Sequence, residues 1–396
     1  MSRKRPRILF VVTEDWLFCL HRMDLGRLAR EKGFDVMVAT HVDSHGPMIL
    51  EEGFTLFPVA FVRGLQSPFK EWRVIRELAV LLKREKPDIV HLFALKSMMY
   101  GNLASIGVRV PAMVNSVTGL GHVFSGRTQK ISLVRMILKM VLRTALKKPH
   151  SRVIFQNQED RDTFFQCGLI QSHNGLVIKG SGVDLKRFSP APAVDGPPVV
   201  LLGCRLLWEK GVAYFVEAAS LLKKRRINAV FALGGMLDRQ NPDGIPEEQI
   251  RQWEKEGAIE WWGFLENMPE VLANVHVVVL PSYYGEGVPK ILLEGAACGK
   301  PLVATDVRGC REAVRHRITG LLVPPRDAVA LAEAMEILIN DSALRGELGR
   351  NGRAWIETNF SSEKVSSETM EVYEQLLGMS PTPPVGADLC RAGSML

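Results

Sequence analysis

Short apolar runs alternate with helix-length segments along almost the whole chain, and that rhythm limits the possible folds more than any other feature. Apolar runs recur at Arg7–Val12, Asp35–Ala39, Thr55–Pro58, Ile89–Leu92, Ala112–Ser116, Arg152–Gln156 and Leu176–Lys179. Most are near-continuous rather than alternating, as expected of strands buried on both faces of a parallel sheet. Helical patterns such as Lys70–Lys86 and Leu95–Ile106 lie between them and supply the crossovers that parallel strands need. The stretch Ser189-Pro190-Ala191-Pro192-Ala193-Val194-Asp195-Gly196-Pro197-Pro198 breaks the rhythm and reads as a linker. A second series follows at Val199–Gly203, Ala229–Leu233, Ile259–Trp262, Val275–Leu280, Pro301–Ala304 and Gly320–Val323. A chain of 396 residues suits two domains. The expectation is an α/β protein with Rossmann-like parallel-sheet domains over residues 1–190 and 191–360. One more helix is expected at Ser361–Leu377, and a disordered tail over 379–396.

Bulk features narrow the class. Six cysteines, Cys19, Cys167, Cys204, Cys298, Cys310 and Cys390, are scattered without paired or metal-type spacing. That argues for reduced thiols in a cytosolic setting. The basic start, Arg3-Lys4-Arg5-Pro6-Arg7, leads into an apolar run that stops at Thr13-Glu14-Asp15, too short for a signal peptide. No run approaches bilayer-spanning length, so a soluble or peripheral protein is expected. Charge is lopsided: residues 1–190 carry 29 Lys and Arg against 16 Asp and Glu, residues 191–396 carry 21 against 27. Between Asp88 and Glu159 there are ten Lys or Arg and no acid. Such a field attracts anionic polymers or an anionic membrane face.

The segment Gly285-Glu286-Gly287-Val288-Pro289-Lys290-Ile291-Leu292-Leu293-Glu294-Gly295 carries the densest chemistry. It follows an apolar strand and places Pro289 in the expected first turn of a helix, where a missing N–H costs nothing. The free N–H groups of that turn favour an anion such as a diphosphate. Glu286 in the loop and Glu294 two turns later are acceptor-only carboxylates. Together they suit a ligand with hydroxyls on both sides of a diphosphate, as in a nucleotide sugar. Upstream, Gly203-Cys204-Arg205-Leu206-Leu207-Trp208-Glu209-Lys210-Gly211 follows the first strand of the second series, where ligands of open α/β sheets bind. Arg205 and Lys210 there can neutralise a leaving diphosphate. Gly234-Gly235 after another strand allows a backbone to approach a phosphate or base.

With these residues in view, the chain resembles the family 4 retaining glycosyltransferases of the GT-B fold, over Arg7 to about Leu377. Their signature is an E-x7-E element, here spanning Glu286 to Glu294, often with a central glycine before the proline. Here the central glycine is missing, a variant similar to a bacterial subgroup that builds glycans on a lipid carrier. The resemblance implies that Glu286 binds donor-sugar hydroxyls, Glu294 the ribose diol, and Arg205 and Lys210 the departing diphosphate. Gly287, Val288, Pro289 and Lys290 are implied as the donor-binding turn, and Gly263-Phe264 resembles the nucleobase loop. The loop Thr13–Arg22 lacks the family's glycine pair and resembles the lipid-linked subgroup, with Asp15, His21 and Arg22 contacting acceptor or diphosphate; His21 and Arg22 equally read as a helix start. Thr118, Gly119, Gly121 and His122 resemble that subgroup's glycine loop, although His122 replaces an expected aromatic residue. The last helix is implied to cross back to the first domain. No metal is implied: Asp160-Arg161-Asp162 spells D-x-D but reads as a solvated first helical turn with favourable dipole placement.

Within Gly126–His150, Arg135, Lys139, Arg143 and Lys147 recur every four residues opposite an apolar side. That stripe reads as an interfacial helix on anionic lipid, or as a packed helix with a solvated outer face. The expected activity is metal-independent, retaining transfer of a hexosyl or N-acetylhexosaminyl group from a UDP-sugar to a lipid-diphosphate-linked acceptor, peripheral on the cytoplasmic membrane face, with no cofactor and no nucleic-acid partner. A nucleotide-sugar epimerase of the same fold would need no lipid and no strongly basic first domain. A dehydrogenase would need G-x-G-x-x-G after the first strand, which is absent. A non-catalytic binding protein would not require Arg205, Lys210 and both glutamates together.

Overall fold

Every pairing between the described strands is parallel, and those strands assemble into two sheets. The first sheet contains β1 (Arg7–Glu14), β2 (Asp35–His41), β3 (Thr55–Pro58), β4 (Ile89–Phe93), β5 (Ala112–Val117), β6 (Ser151–Phe155) and β7 (Gly175–Val177). They lie in the order β3-β2-β1-β4-β5-β6-β7. The second holds β8 (Val199–Gly203), β9 (Val230–Gly234), β10 (Glu260–Trp261), β11 (Val277–Leu280), β12 (Leu302–Thr305) and β13 (Gly320–Val323), in the order β10-β9-β8-β11-β12-β13. This is a computed structural model, and it describes residues 5–62, 67–119, 142–146, 148–191, 195–239, 241–284 and 286–379. The expected tail beyond Met379, together with Gly121, His122, Arg135, Lys139 and Lys147, lies outside the described residues.

Crossover helices cover the sheets. In the first half these are α1 (Asp15–His21), α2 (Met23–Glu31), α3 (Gly46–Glu51), α4 (Pro68–Glu85), α5 (Ala94–Ala104) and α6 (Gln158–Gln166). In the second they are α7 (Val212–Lys224), α8 (Glu247–Lys255), α9 (Met268–Ala273), α10 (Lys290–Ala297), α11 (Arg308–Ala313), α12 (Ala328–Asn340) and α13 (Ser342–Asn359). A last helix, α14 (Ser362–Leu377), closes the chain. The strand interiors are buried to near completion: Val200, Leu201 and Leu202 of β8 expose nothing, as expected with helices on both faces. One apolar cluster fills the second domain, and two fill the opposite faces of the first sheet.

Although last in sequence, α14 packs on the first sheet. Val365, Met370, Val372 and Tyr373 share a cluster with Ile8, Phe10 and Phe34. His91 of β4 is fully enclosed there: its Nδ1 meets the Tyr373 hydroxyl, and its Nε2 lies 2.7 Å from Ser116 Oγ. Burial holds this imidazole well below the usual histidine range, so it is neutral. Ser361 caps α14 by accepting the Lys364 N–H at 3.2 Å. The short described helical stretch at 142–146 also turns inward, with Leu142 and Leu146 in the first core and Arg143 exposed.

Candidate active site

Strand order places the site before any side chain is considered. In each sheet the order reverses between neighbours, at β1 and β4 in the first and at β8 and β11 in the second. Loops leaving the carboxyl ends of such strands splay apart and leave a crevice. Arg205 and Lys210 stand on the loop after β8, and Glu286 on the loop after β11. The two loops are stitched together where the Glu209 carbonyl accepts from Ser282 Oγ at 3.1 Å and from the Tyr283 N–H at 3.2 Å.

That stitching brings Lys210 Nζ to 2.5 Å from Glu286 Oε2, with each side chain 14% exposed. The other oxygen, Glu286 Oε1, is buried and has no hydrogen-bond partner among the described residues. A buried carboxylate oxygen left unfilled costs about 1–3 kcal/mol or more, which a ligand hydroxyl would recover. The thiols of Cys204 and Cys310 border the pair. Burial pushes Cys204 up to about 12 and Cys310 higher still, so both stay protonated and inert. Arg205 contacts the buried Asp238 at 3.4 Å but keeps 39% of its side chain exposed, leaving guanidinium donors for an anion.

The carboxyl edges of the two sheets meet at this site, through residues that immediately follow strands. The Val288 N–H donates to Gln156 Oε1 at 2.7 Å, so one N–H of the turn before α10 is taken by the first domain. Pro289 occupies the N-cap position rather than the first turn. Gly287 faces Gln156 and the Thr118 carbonyl so closely that a Cβ there would collide with both. Lys290 reaches across to the carbonyls of Leu20 (3.0 Å) and Gly182 (3.2 Å). Glu294, one turn further along α10, is 6% exposed; burial pushes it up to about 7, while Lys290 and Arg187 pull it down. At the rim, α6 and α11 pair across the domains: Arg308 with Asp160 at 3.1 Å and Glu159 at 3.2 Å, Arg311 with Glu159 at 2.9 Å. Lys179 and Glu312 add a further pair at 3.3 Å.

On the first-domain side, His21 Nδ1 lies 3.1 Å from Ser181 Oγ. Desolvation, then the cations Lys290, Arg22 and Arg205, hold it well below its usual range, so it is neutral beside a cluster of positive charge. Arg22 is 9% exposed, lies 4.5 Å above the Phe93 ring and has no carboxylate partner among the described residues. Burial lowers it to about 10, which leaves it a cation at neutral pH.

Three expectations need correction. Asp15 does not face a ligand: it is fully buried, and its carboxylate accepts the N–H groups of Trp16, Asp43 and His45 at 2.8–2.9 Å. This fixes the loop after β2, a demand no local pattern reveals. Gly234 and Gly235 are accounted for by packing, since a Cβ at either would collide with protein neighbours. Gly235, at φ +139°, lies against the Cys204 carbonyl and donates its N–H to Gly263 at 2.7 Å, while Gly234 packs on Leu265. Asp160 is not solvated; it is 2% exposed and pairs with Arg308. Gly263 takes a left-handed φ of +67°, and Phe264 beside it is 65% exposed at the mouth of the strand-end loops. Gly119 is likewise left-handed, at φ +138°. Gln156 and Arg308 were missed by sequence reasoning, although each lies just past a strand, the position from which open sheets draw their sites.

Residues 7–157 match the family model described as glycosyl transferase 4-like, and residues 197–341 the one described as glycosyl transferases group 1. The chain is 29% identical over 369 residues to N,N'-diacetylbacillosaminyl-diphospho-undecaprenol alpha-1,3-N-acetylgalactosaminyltransferase of Campylobacter jejuni, covering 90% of this chain and 95% of the relative. It is 25% identical over 320 residues to UDP-Gal:alpha-D-GlcNAc-diphosphoundecaprenol alpha-1,3-galactosyltransferase of Escherichia coli, covering 78% and 80%. Among solved structures, Anabaena HepE in complex with UDP and glucose superimposes with a TM-score of 0.76 at 19% identity, covering 93% of this chain and 99% of that one. The architecture is therefore GT-B.

Proposed function

We propose a specific reaction for this chain, which belongs to the group 1, 4-like glycosyl transferases. It moves a hexosyl or N-acetylhexosaminyl group from a UDP-sugar to a sugar carried on a lipid diphosphate, with retention at the anomeric carbon and without a metal ion. The observation that carries the reading is Glu286, held at 2.5 Å by Lys210 at the switch point with its second oxygen buried and without a partner among the described residues. That oxygen is an acceptor waiting for a donor-sugar hydroxyl. Arg205 and Lys210 stabilise the charge that develops on the leaving diphosphate. Glu294 takes the ribose diol. The acceptor hydroxyl adds to the anomeric carbon on the face from which the diphosphate departs. The carbon–oxygen bond to phosphate breaks, and the acceptor's proton passes to the departing phosphate oxygen. No protein nucleophile is needed; positioning and electrostatics supply the rate.

The acceptor side rests on the two relatives, whose names place a diphospho-undecaprenol on the acceptor. His21 and the unpaired Arg22 border the same crevice and suit the acceptor's diphosphate. No described helix is long and apolar enough to cross a membrane, and we place the protein peripherally on the cytoplasmic face, where such acceptors meet soluble nucleotide sugars.

The test is incubation with a panel of UDP-sugars, with and without lipid-diphosphate sugars, reading the product's anomeric configuration by NMR. Transfer that requires the lipid acceptor and keeps the donor configuration is expected. Interconversion of the donor without acceptor would make the protein an epimerase and end this reading. Glu286→Ala is expected to lose transfer by at least about 100-fold while UDP binding survives; normal turnover would remove Glu286 from the site.

A further inference from the structure

The outward face of α4 serves neither the core nor the crevice. At 100° per residue, Phe69, Trp72, Arg73, Arg76, Val80 and Lys83 fall within about 60° of one line along this helix. Val74, Leu78, Leu81 and Leu82 occupy the opposite side and are buried, so the outer stripe is not misplaced core. Phe69 is 76% exposed, Trp72 56% and Val80 55%. The guanidinium of Arg76 lies 5.7 Å from the centre of the Trp72 ring, over its face.

The acids of α4 are occupied elsewhere. Glu71 binds the Tyr100 hydroxyl and Lys96. Glu77 accepts the Ala60 N–H at 2.9 Å and pairs with Arg73, and Glu85 pairs with Arg7 and Arg84. Lys70, Arg76 and Lys83 have no carboxylate partner among the described residues. The surface is thus aromatic at one end and cationic throughout. Its position follows from topology: β3 ends at the sheet edge that faces the second domain, and α4 returns antiparallel to it. The first turns of α4, with Phe69 and Trp72, therefore stand at the crevice side of the first domain.

We propose that this face of α4 is a membrane-contact surface. Phe69 and Trp72 enter the boundary between headgroups and acyl chains of an anionic leaflet, and Arg73, Arg76 and Lys83 meet its phosphates. Amphipathic aromatic rings favour that boundary, and clustered cations add an attraction that salt screens. A second copy of the chain fits the face poorly, because a two-fold contact would set its cations against themselves. The inference rests on the proposed lipid-linked acceptor: docking here brings the crevice edge down to the leaflet that holds it.

The experiment uses the full chain and sedimentation with vesicles of phosphatidylcholine, with or without phosphatidylglycerol and with no acceptor present. Binding is expected only to the anionic vesicles and is expected to weaken with salt. Phe69→Ser with Trp72→Ser, and separately Arg76→Glu with Lys83→Glu, are each expected to lower the partition coefficient by at least about tenfold. Turnover of a short-chain, water-soluble acceptor should stay unchanged in both, while turnover of the full-length acceptor in vesicles falls. Wild-type vesicle binding by both double variants, failure of the parent chain to bind anionic vesicles, or a dimer of the parent chain that the variants abolish would each overturn the surface. Failure of the parent chain to turn over any lipid-diphosphate acceptor, with vesicle binding intact, would instead overturn the reaction.

Discussion

Gly287→Ala tests whether the contact between the domains, rather than either domain alone, builds the active site. A methyl group at 287 would lie 2.5 Å from the Thr118 carbonyl oxygen and closer still to Gln156 Oε1. Real Cβ atoms essentially never come nearer than 3.0 Å. Gln156 can swing aside, but it then gives up its 2.7 Å bond from the Val288 N–H, worth about 0.5–1.5 kcal/mol. Thr118 is backbone at the end of β5 and cannot swing, so one loop must retreat by at least about 0.5 Å. Glu286 is the next residue along that loop and moves with it. Displacements approaching 1 Å in a positioned catalytic group cost up to about 100-fold in rate. The expected result is a 10- to 100-fold loss of kcat/KM in a transfer assay. UDP binding by calorimetry should change by less than about threefold, and Tm by no more than ~4 °C, because neither domain core is touched. Gln156→Ala, which loses the bond but creates no collision, should fall between wild type and Gly287→Ala. Wild-type kcat/KM in Gly287→Ala would show that the site does not depend on this approach and would refute the argument.

Two further substitutions probe charges at the interface. Arg308→Ala leaves the buried Asp160 carboxylate with only its 3.1 Å bond from Asn157 Nδ2 among the described residues and should cost about 1 kcal/mol, modest because Arg308 is 40% exposed; adding Asp160→Asn should restore part of it, and additive losses in urea unfolding would argue against coupling. Glu294 is lifted by burial from an ordinary 4.5 to about 7, so the folded chain holds the extra proton between those values. Its favourable contribution to folding is complete below about pH 4.5 and is lost as pH rises through 7. Glu294→Gln, which cannot ionise, should therefore gain on wild type by on the order of 2–3 kcal/mol between pH 5 and pH 8. A stability difference that does not change with pH would place Glu294 in a wetter environment than the structure describes.

Much of the architecture was legible because a parallel α/β sheet writes itself locally. Thr55–Pro58, Val199–Gly203 and Gly320–Val323 are strands with the expected bounds, since buried strands need continuous apolar runs that breakers end. Catalytic candidates were legible where the chain places them just past a strand, as at Arg205 and Glu286. The errors have one physical source. Asp15, Asp160 and Gly235 were judged from their neighbours in sequence, but their partners lie 28, 148 and 28 positions away. A carboxylate that satisfies distant N–H groups or a distant guanidinium looks, in sequence, like one facing solvent or a ligand.

The sequence by itself determined two β/α series, the linker between them, the loops that carry Arg205, Lys210 and Glu286, and a basic first half. Each of these depends on period, composition or position relative to a strand. Tertiary structure alone decided which residues seat α14 on the first domain, Tyr373 against His91, and that Lys290 and Val288 reach the first domain. It also decided that one oxygen of Glu286 is buried with no partner among the described residues. Those outcomes depend on which groups meet across folded surfaces, where burial makes every polar atom find a partner or stand open to a ligand.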